Sequence, residues 1–308
     1  MRPLTVLCGG LGGSRFVDAL ARAAGPGAVT AIGNVGDDVE VLGLHVSPDL
    51  DTVLYTLAGL LDEERGWGVA DETYGALTMA GALGADTWFT LGDRDIGLHL
   101  VRTELLRAGA PLSAVFERLA AALGVRVRLI PASDDPVRTL VETPARELDF
   151  QTWFVRRRHE DPVRGVRYDG AAQASPAPGV VDAIAAADLV FLAPSNPFVS
   201  IEPILAVPHI REALAARNGP VVAVSPIVGG KAVRGPLAGM LASLGHEPTA
   251  LGVARLYADV ASAFVIDPAD AELAPAIEAL GLRAIVTPVV MVAPAARRDV
   301  GRAVLEAV

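Results

Sequence analysis

The chain has 308 residues, enough for one large or two ordinary domains with a substantial buried core. Hydrophobic residues make up 52% and aromatics only 5%, so the core is built from Ala, Val, Leu and Ile, which suits parallel strands covered by helices. The net charge of -10 excludes a general nucleic-acid binder, which needs a basic surface, yet it allows a local phosphate site and suits carboxylates grouped around a divalent cation.

Leu4–Cys8 is a short apolar run that stops at glycines, the pattern of a buried strand. This start lacks the length and cleavage pattern of a signal peptide, and no stretch approaches ~18 unbroken apolar residues, so no membrane span is expected. The single cysteine, Cys8, can form no internal disulfide, and a reducing, cytoplasmic setting is expected. Helical spacing over 14–24 puts Phe16, Val17, Leu20 and Ala21 on one face with Ser14 as the N-cap, and 29–32 is a second strand. This opening predicts a parallel sheet. Four helices are expected at 49–61, 71–83, 93–108 and 111–123. Strand-type runs return at 125–130 and 139–142. The stretch 151–168 then mixes aromatics with Arg156, Arg157, Arg158, Arg164 and Arg167, either a solvated face or contacts to an acidic ligand. Beyond a loop at 172–179, helices at 180–186, 209–216, 237–244, 269–280 and 294–308 alternate with strands at 188–193, 220–225, 263–266 and 283–287. The expected fold class is α/β, a Rossmann-like, doubly wound and mostly parallel sheet. A single domain over 1–308 is expected, with a helical insertion at about 49–123 forming a smaller subdomain.

Several segments carry candidate chemistry. Gly9-Gly10-Leu11-Gly12-Gly13 joins the first strand to a helix, where glycines let backbone approach a phosphate and free N–H groups face an anion; equally, it is a tight turn. It fits neither the dinucleotide fingerprint nor the Walker loop, which needs a lysine. Asn34-Val35-Gly36-Asp37-Asp38 follows the second strand at the carboxyl edge, where ligands bind in such sheets. Pro48 opens the next helix, so Asp49 and Asp51 lie in its first turn, complementing the helix dipole or serving a metal or a hydroxyl nucleophile. Asp62 leads through Gly66-Trp67-Gly68 to Asp71, a candidate helix cap. Asp93 is the natural cap of its helix, Asp95 is placed to pair with His99, and His99 or Arg102 is placed to meet a phosphate. Ser133-Asp134-Asp135 is a turn or a reader of guanine or ribose. The loops Pro194-Ser195-Asn196-Pro197 and Ser225-Pro226-Ile227 end two later strands on the same edge. A serine hydrolase and a zinc site are disfavoured: no nucleophile elbow appears, and the five histidines are dispersed.

These motifs, in this order and over nearly the whole chain, resemble the 2-phospho-L-lactate transferases, called CofD in archaea and FbiA in actinobacteria; the glycine loop and Gly33-Asn34-Val35-Gly36-Asp37-Asp38 look more like the actinobacterial branch. The resemblance implies a transferase of coenzyme F420 biosynthesis. A phosphoenolpyruvyl or 2-phospholactyl group would pass from a guanosine diphosphate ester to the ribityl hydroxyl of the deazaflavin Fo, releasing GMP, with Mg2+ as cofactor. It implies Asp51 and Asp49 as catalytic residues, Asp51 and Asp62 as metal ligands, and Asp51, Thr90, Trp67 and Trp88 as contacts of Fo. It places Gly10, Gly12, Gly13, Asn34, Ser133, Asp134, Asp135, Ser195, Asn196, Ser225 and Ile227 around the nucleotide, in a homodimer with no nucleic-acid or membrane partner. No residue discriminates among phosphoenolpyruvate, 2-phospholactate and 3-phosphoglycerate as the acid carried. Asp51→Ala is expected to abolish turnover and leave the fold intact. The rival reading is a nucleotide-sugar-binding regulator of the gluconeogenesis-factor type, which usually carries Asp-Asp-Gly-Gly-Ser where Asp38 is followed here by Val39-Glu40. A Rossmann dehydrogenase is disfavoured by the failed fingerprint.

Overall fold

The computed structural model describes residues 2–232, 235–291 and 293–308. Strand β1 (Leu4–Cys8) carries no charge and is buried along its length. Its one polar side chain, Thr5, donates its hydroxyl to the Ala183 carbonyl at 2.8 Å, so nothing in the strand is left without a partner by burial on both faces. Helix α1 (Gly10–Ala24) leads to β2 (Val29–Gly33), parallel to β1 with Cys8 opposite Gly33. A hairpin of β3 (Val39–Val41) and β4 (Leu44–Val46) follows, then α2 (Pro48–Ala58), α3 (Gly75–Ala82), α4 (Asp93–Arg107) and α5 (Leu112–Ala122). β5 (Arg128–Pro131) rejoins the sheet beside β2. β6 (Arg138–Glu142), β7 (Glu147–Asp149) and β8 (Gly165–Asp169) form a separate antiparallel sheet. The chain then alternates through α6 (Val180–Ala186), β9 (Leu189–Leu192), α7 (Glu202–Leu205), α8 (Ile210–Ala216), β10 (Val221–Val224) and the small hairpin β11 (Ile227–Val228) with β12 (Lys231–Ala232). It closes with α9 (Leu237–Ser243), α10 (Ala250–Tyr257), β13 (Ala263–Ile266), α11 (Ala274–Glu278), β14 (Arg283–Val286) and α12 (Arg297–Ala307).

The main sheet is seven-stranded and parallel, in the order β14-β13-β10-β9-β1-β2-β5. The chain winds outward from β1 through β2 to β5, then returns beside β1 at β9 and winds the other way. Right-handed crossovers therefore place α1 on one face and α8 on the other. The order reverses between β1 and β9, which opens a crevice at their carboxyl ends. This is the expected doubly wound α/β fold.

Several local expectations change. Helix α1 begins at Gly10, so the glycine segment is its first turn rather than a loop, and Ser14 is not its cap. Ser14 is buried inside the helix and donates to the Leu11 carbonyl at 2.9 Å. Asp93 does not cap its own helix: its carboxylate accepts from the backbone N–H of Gly75 at 3.0 Å and Ala76 at 2.9 Å, capping α3. Glu72 returns the favour at α4, accepting from Arg94 and Asp95 N–H at 3.0 Å each. Asp71, at φ 54°, lies in the turn before α3 and caps nothing. Segment 139–142 belongs to the antiparallel sheet, the β3–β4 hairpin and α10 are additional elements, and 269–280 is a 3-10 segment followed by α11. Of the helices in the predicted insertion, α2 and α5 bury Leu50, Val53, Leu54, Val115 and Phe116 in the main core, while α3 buries no residue.

Candidate active site

A cleft of about 590 Å³ opens at the β1/β9 reversal. Its floor is held together by contacts that only glycine permits. A Cβ at Gly12 would lie 2.3 Å from the Pro194 carbonyl oxygen, and one at Gly13 would lie 2.5 Å from Ser195 Oγ. Ser195 ties the two strand ends, donating to the Gly9 carbonyl at 2.8 Å and accepting from Gly9 N–H at 3.2 Å.

Two carboxyl groups, Asp37 and Asp49, form one wall. Asp49 projects from the first turn of α2 toward the start of α1, where Gly10 N–H donates to it. Asn34 orients it: Asn34 Nδ2 donates to Asp49 Oδ2 at 2.9 Å and to the Val199 carbonyl at 3.0 Å, while Asn34 Oδ1 accepts from Gly36 N–H at 2.7 Å. Every polar atom of Asn34 is used, so the amide is a fixed brace. Asp37 accepts from Gln151 Nε2 at 3.2 Å, and its Oδ1 is buried without a partner. Burial raises the proton affinity of both groups, and Asp49 raises that of Asp37 further. The two carboxyls are thus electrostatic neighbours at the cleft. Behind them burial pushes Asp38 up to about 8, against the pull of Arg138 and Arg102, and lowers His45 to about 4.

Asp51 faces the other way. It does not line the cleft; Arg102, fully buried, grips both its oxygens, one at 3.0 Å, and Ser47 N–H adds a bond at 3.2 Å. Asp95 pairs with His99 at 3.1 Å as its spacing predicts. Arg102 and His99 are thus both committed inside the protein.

The wall next to Asp37, joined to it through Gln151, is aromatic. Phe150 and Phe154 stack at 5.3 Å with planes 6° apart, and Phe154 continues to His159 at 5.4 Å. All three line the cleft, with Trp67, Phe89 and Thr90 also on its margin. Arg65 lies over Trp67, its guanidinium 4.9 Å from the ring centre. Arg15, from α1, also reaches the cleft.

Of the residues singled out from the sequence, the structure brings Gly10, Gly12, Asp49, Trp67, Thr90, Ser195, Asn196 and Ser225 to this cleft. Gly13 and Asn34 lie directly beneath it. Asp62 is turned into its own loop, accepting from Arg65 Nε at 2.7 Å and from the N–H of Glu64 and Arg65. Trp88 packs edge-on against Phe89 and under Arg156, outside the lining. The Ser133–Asp135 segment is a structural turn: Asp134 accepts from Ser113 at the start of α5, and Asp135 from Ser175 N–H at 2.8 Å. Ile227 is buried, its backbone closed onto Ser225 Oγ at 2.8 and 3.1 Å. Arg15, Phe150, Phe154 and His159 were not singled out as site residues, and Asp37 entered only as part of the Asn34–Asp38 motif. One signal was there: Phe154 and His159 lie in the 151–168 segment noted for its aromatics, with Phe150 just before it.

The family model "2-phospho-L-lactate transferase CofD" matches residues 4–279. The chain is 46% identical over 309 aligned positions to the phosphoenolpyruvate transferase of Streptomyces griseus, covering 98% of this chain and 97% of that protein. It is 47% identical to the phosphoenolpyruvate transferase of Thermobifida fusca, covering 87% of each, and 43% identical to that of Mycolicibacterium smegmatis, covering 86% of each. Among solved structures, a Bacillus halodurans protein of the UPF0052 family superposes with a TM-score of 0.59 at 17% identity, covering 92% of both chains, a likeness of fold. No helix among the described residues is long and apolar enough to cross a membrane.

Proposed function

The chain belongs to the 2-phospho-L-lactate transferase family, a transferase family of coenzyme F420 biosynthesis, and on that premise we propose that it moves a phosphoenolpyruvyl group from a guanosine diphosphate ester to the terminal ribityl hydroxyl of the deazaflavin Fo. The hydroxyl oxygen attacks the phosphorus that bears the acid and gives up its proton to solvent, the bond from that phosphorus to the bridging oxygen breaks, and GMP leaves with the bridging oxygen and its electron pair. Phosphoenolpyruvyl is favoured over 2-phospholactyl because the similar proteins of three actinobacterial genera carry that name along most of their length.

The observation that carries this reading is the make-up of one cleft at the sheet reversal. It runs from the glycine turn and the Ser195–Asn196 and Ser225 loops, past Asp37 and Asp49, to the Phe150–Phe154–His159 ring stack. Phosphoryl transfer asks a protein mainly to position and to neutralise charge. The strand-end loops suit the guanosine diphosphate, and the flat rings suit the tricyclic deazaflavin, with Trp67 and Thr90 on its margin.

Asp37 and Asp49 are the residues that would hold Mg2+. Among the described residues no three His, Cys, Asp or Glu side chains gather around one point, but Mg2+ needs only one or two carboxylates when substrate phosphates and waters complete its shell. The two adjoining carboxyls and the orphaned Asp37 Oδ1 fit such an ion. Bound there, it would neutralise charge on the phosphate oxygens and on departing GMP. Asn34 keeps Asp49 aimed at the cleft. Asp51 and Asp62, engaged with Arg102 and Arg65, act from behind by holding the start of α2 and the 62–68 turn in place.

The test is an assay with Mg2+, Fo and each guanosine diphosphate ester in turn, read by mass spectrometry. The expected product is Fo extended by the phosphoenolpyruvyl group. Failure to bind Fo, followed through its fluorescence, would sink the reading.

A further inference from the structure

Arg15 is an arginine in an unusual position. Its side chain is nine-tenths buried, yet it lines the cleft one turn along α1 from Leu11 and Gly12, near Thr52 and Trp67. One nitrogen, Nη2, is committed, donating to Glu63 Oε2 at 2.9 Å and more weakly to the Glu63 carbonyl at 3.4 Å. Its Nε is buried with no partner. A guanidinium has five N–H donors in a rigid fork, and a buried donor left unmet is costly.

Glu63 does not belong to Arg15 alone. Arg297, fully buried at the start of α12, donates from Nη2 to both Glu63 oxygens at 2.5 and 2.6 Å, and from Nη1 to Asp18 at 3.1 Å. Burial opposes charge on Glu63, but bonds from Arg297 and Arg15 outweigh it and hold the carboxyl below its ordinary range. Arg22 also donates to Asp18, at 2.8 Å, so three guanidiniums share the two carboxylates Glu63 and Asp18, and Arg15 keeps unmet donors at the cleft wall.

We propose that Arg15 is a substrate-binding residue that clamps an anionic group of the donor, with Glu63 and Arg297 as the residues that hold it in place; the identity of that donor rests on the function proposed above. Two anionic groups of such a donor share the required chemistry, a diphosphate oxygen and the carboxylate of the acid. Both accept a forked pair of N–H bonds.

Calorimetric titration of the full chain with GDP, and separately with the guanosine diphosphate ester, tests this. Arg15→Ala is expected to weaken donor binding about 10–100-fold, the range for a lost hydrogen bond to a charged group. Weakening of GDP and ester alike assigns the clamp to the diphosphate; weakening of the ester alone assigns it to the acid. Arg15→Lys keeps the cation, loses the fork and guards against a folding defect, and is expected to fall between wild type and Arg15→Ala. Added guanidinium ion is expected to restore part of the lost affinity in Arg15→Ala. Glu63→Gln is expected to weaken the donor less than Arg15→Ala and to add little to it in the double variant, as for residues acting as one unit. Unchanged affinity for both ligands in Arg15→Ala and Arg15→Lys overturns the proposal. A wild type that binds GDP through Arg15 but fails to bind Fo overturns the proposed acceptor and leaves the clamp standing.

Discussion

Asp49 and Asp51 occupy the same turn of α2, both nearly buried, and face opposite ways. Asp51 is met by a guanidinium that takes both its oxygens. Asp49 is met by neutral donors, an amide and backbone N–H, and by a second carboxyl. The first is an electrostatically closed pair inside the protein. The second is a pair of acids with too little positive charge around it, at the edge of a cleft. Burial alone does not separate structural from functional aspartates here; the sign of the partner does.

The largest effect expected from this difference is on stability. Asp51→Ala strands Arg102 in the interior and should cost about 3–5 kcal/mol, read by urea denaturation. A variant that unfolds like wild type but has lost turnover would break the comparison and return Asp51 to the chemistry. Asp49→Asn should do the reverse, lowering kcat at least ~10²-fold, the scale of removing one charge-stabilising group, with no loss in melting temperature. If it unfolds as readily as Asp51→Ala, both carboxylates are structural. On the aromatic wall, Phe154→Ala should weaken Fo binding by about 1–3 kcal/mol, the usual worth of one ring stacked on a planar heterocycle, with little change in GDP binding. Fluorescence titration that finds Fo affinity intact would move the deazaflavin to another wall. The smallest effect concerns Cys8, whose thiol is pushed up by burial first and by Asp49 second. It should resist alkylation in the native protein at pH 9, and Asp49→Asn should quicken the reaction only slightly. Rapid native labelling would mean that this end of β1 opens far more than its burial implies.

Most strands of the main sheet were legible because each is a short, nearly uncharged run, and β1, β9, β10 and β13 are buried along their whole length, which leaves little other composition. The antiparallel sheet was legible only at β6, read as a strand at 139–142. β7 is Glu147–Asp149, three residues with two charges, and it is a strand only because β6 lies beside it. The same limit applied to capping: Asp93 and Glu72 each cap the other's helix, a relation that exists only once α3 and α4 have met. In the site, the motif Pro48-Asp49-Leu50-Asp51 was visible, but which aspartate would face the cleft was not. Residues two apart on a helix point about 200° from one another, so one must turn away, and the choice was made by Arg102, fifty-one positions downstream. Arg15 was missed because its meaning comes from Glu63 and from the far end of the chain.

That far end has a practical meaning. The matched family span stops at residue 279, an obvious place to cut a minimal enzyme. Such a fragment would lose the edge strand β14 and, with α12, the guanidinium of Arg297 that steadies Glu63. Gly301 shows how tightly the helix is seated, since a Cβ there would lie 2.3 Å from the Ala19 carbonyl oxygen of α1. The final helix is thus a keystone set against the middle of α1, and truncation beyond β13 would loosen the helix that carries the glycine turn as well as remove Val289, Val290 and Met291 from the cleft lining.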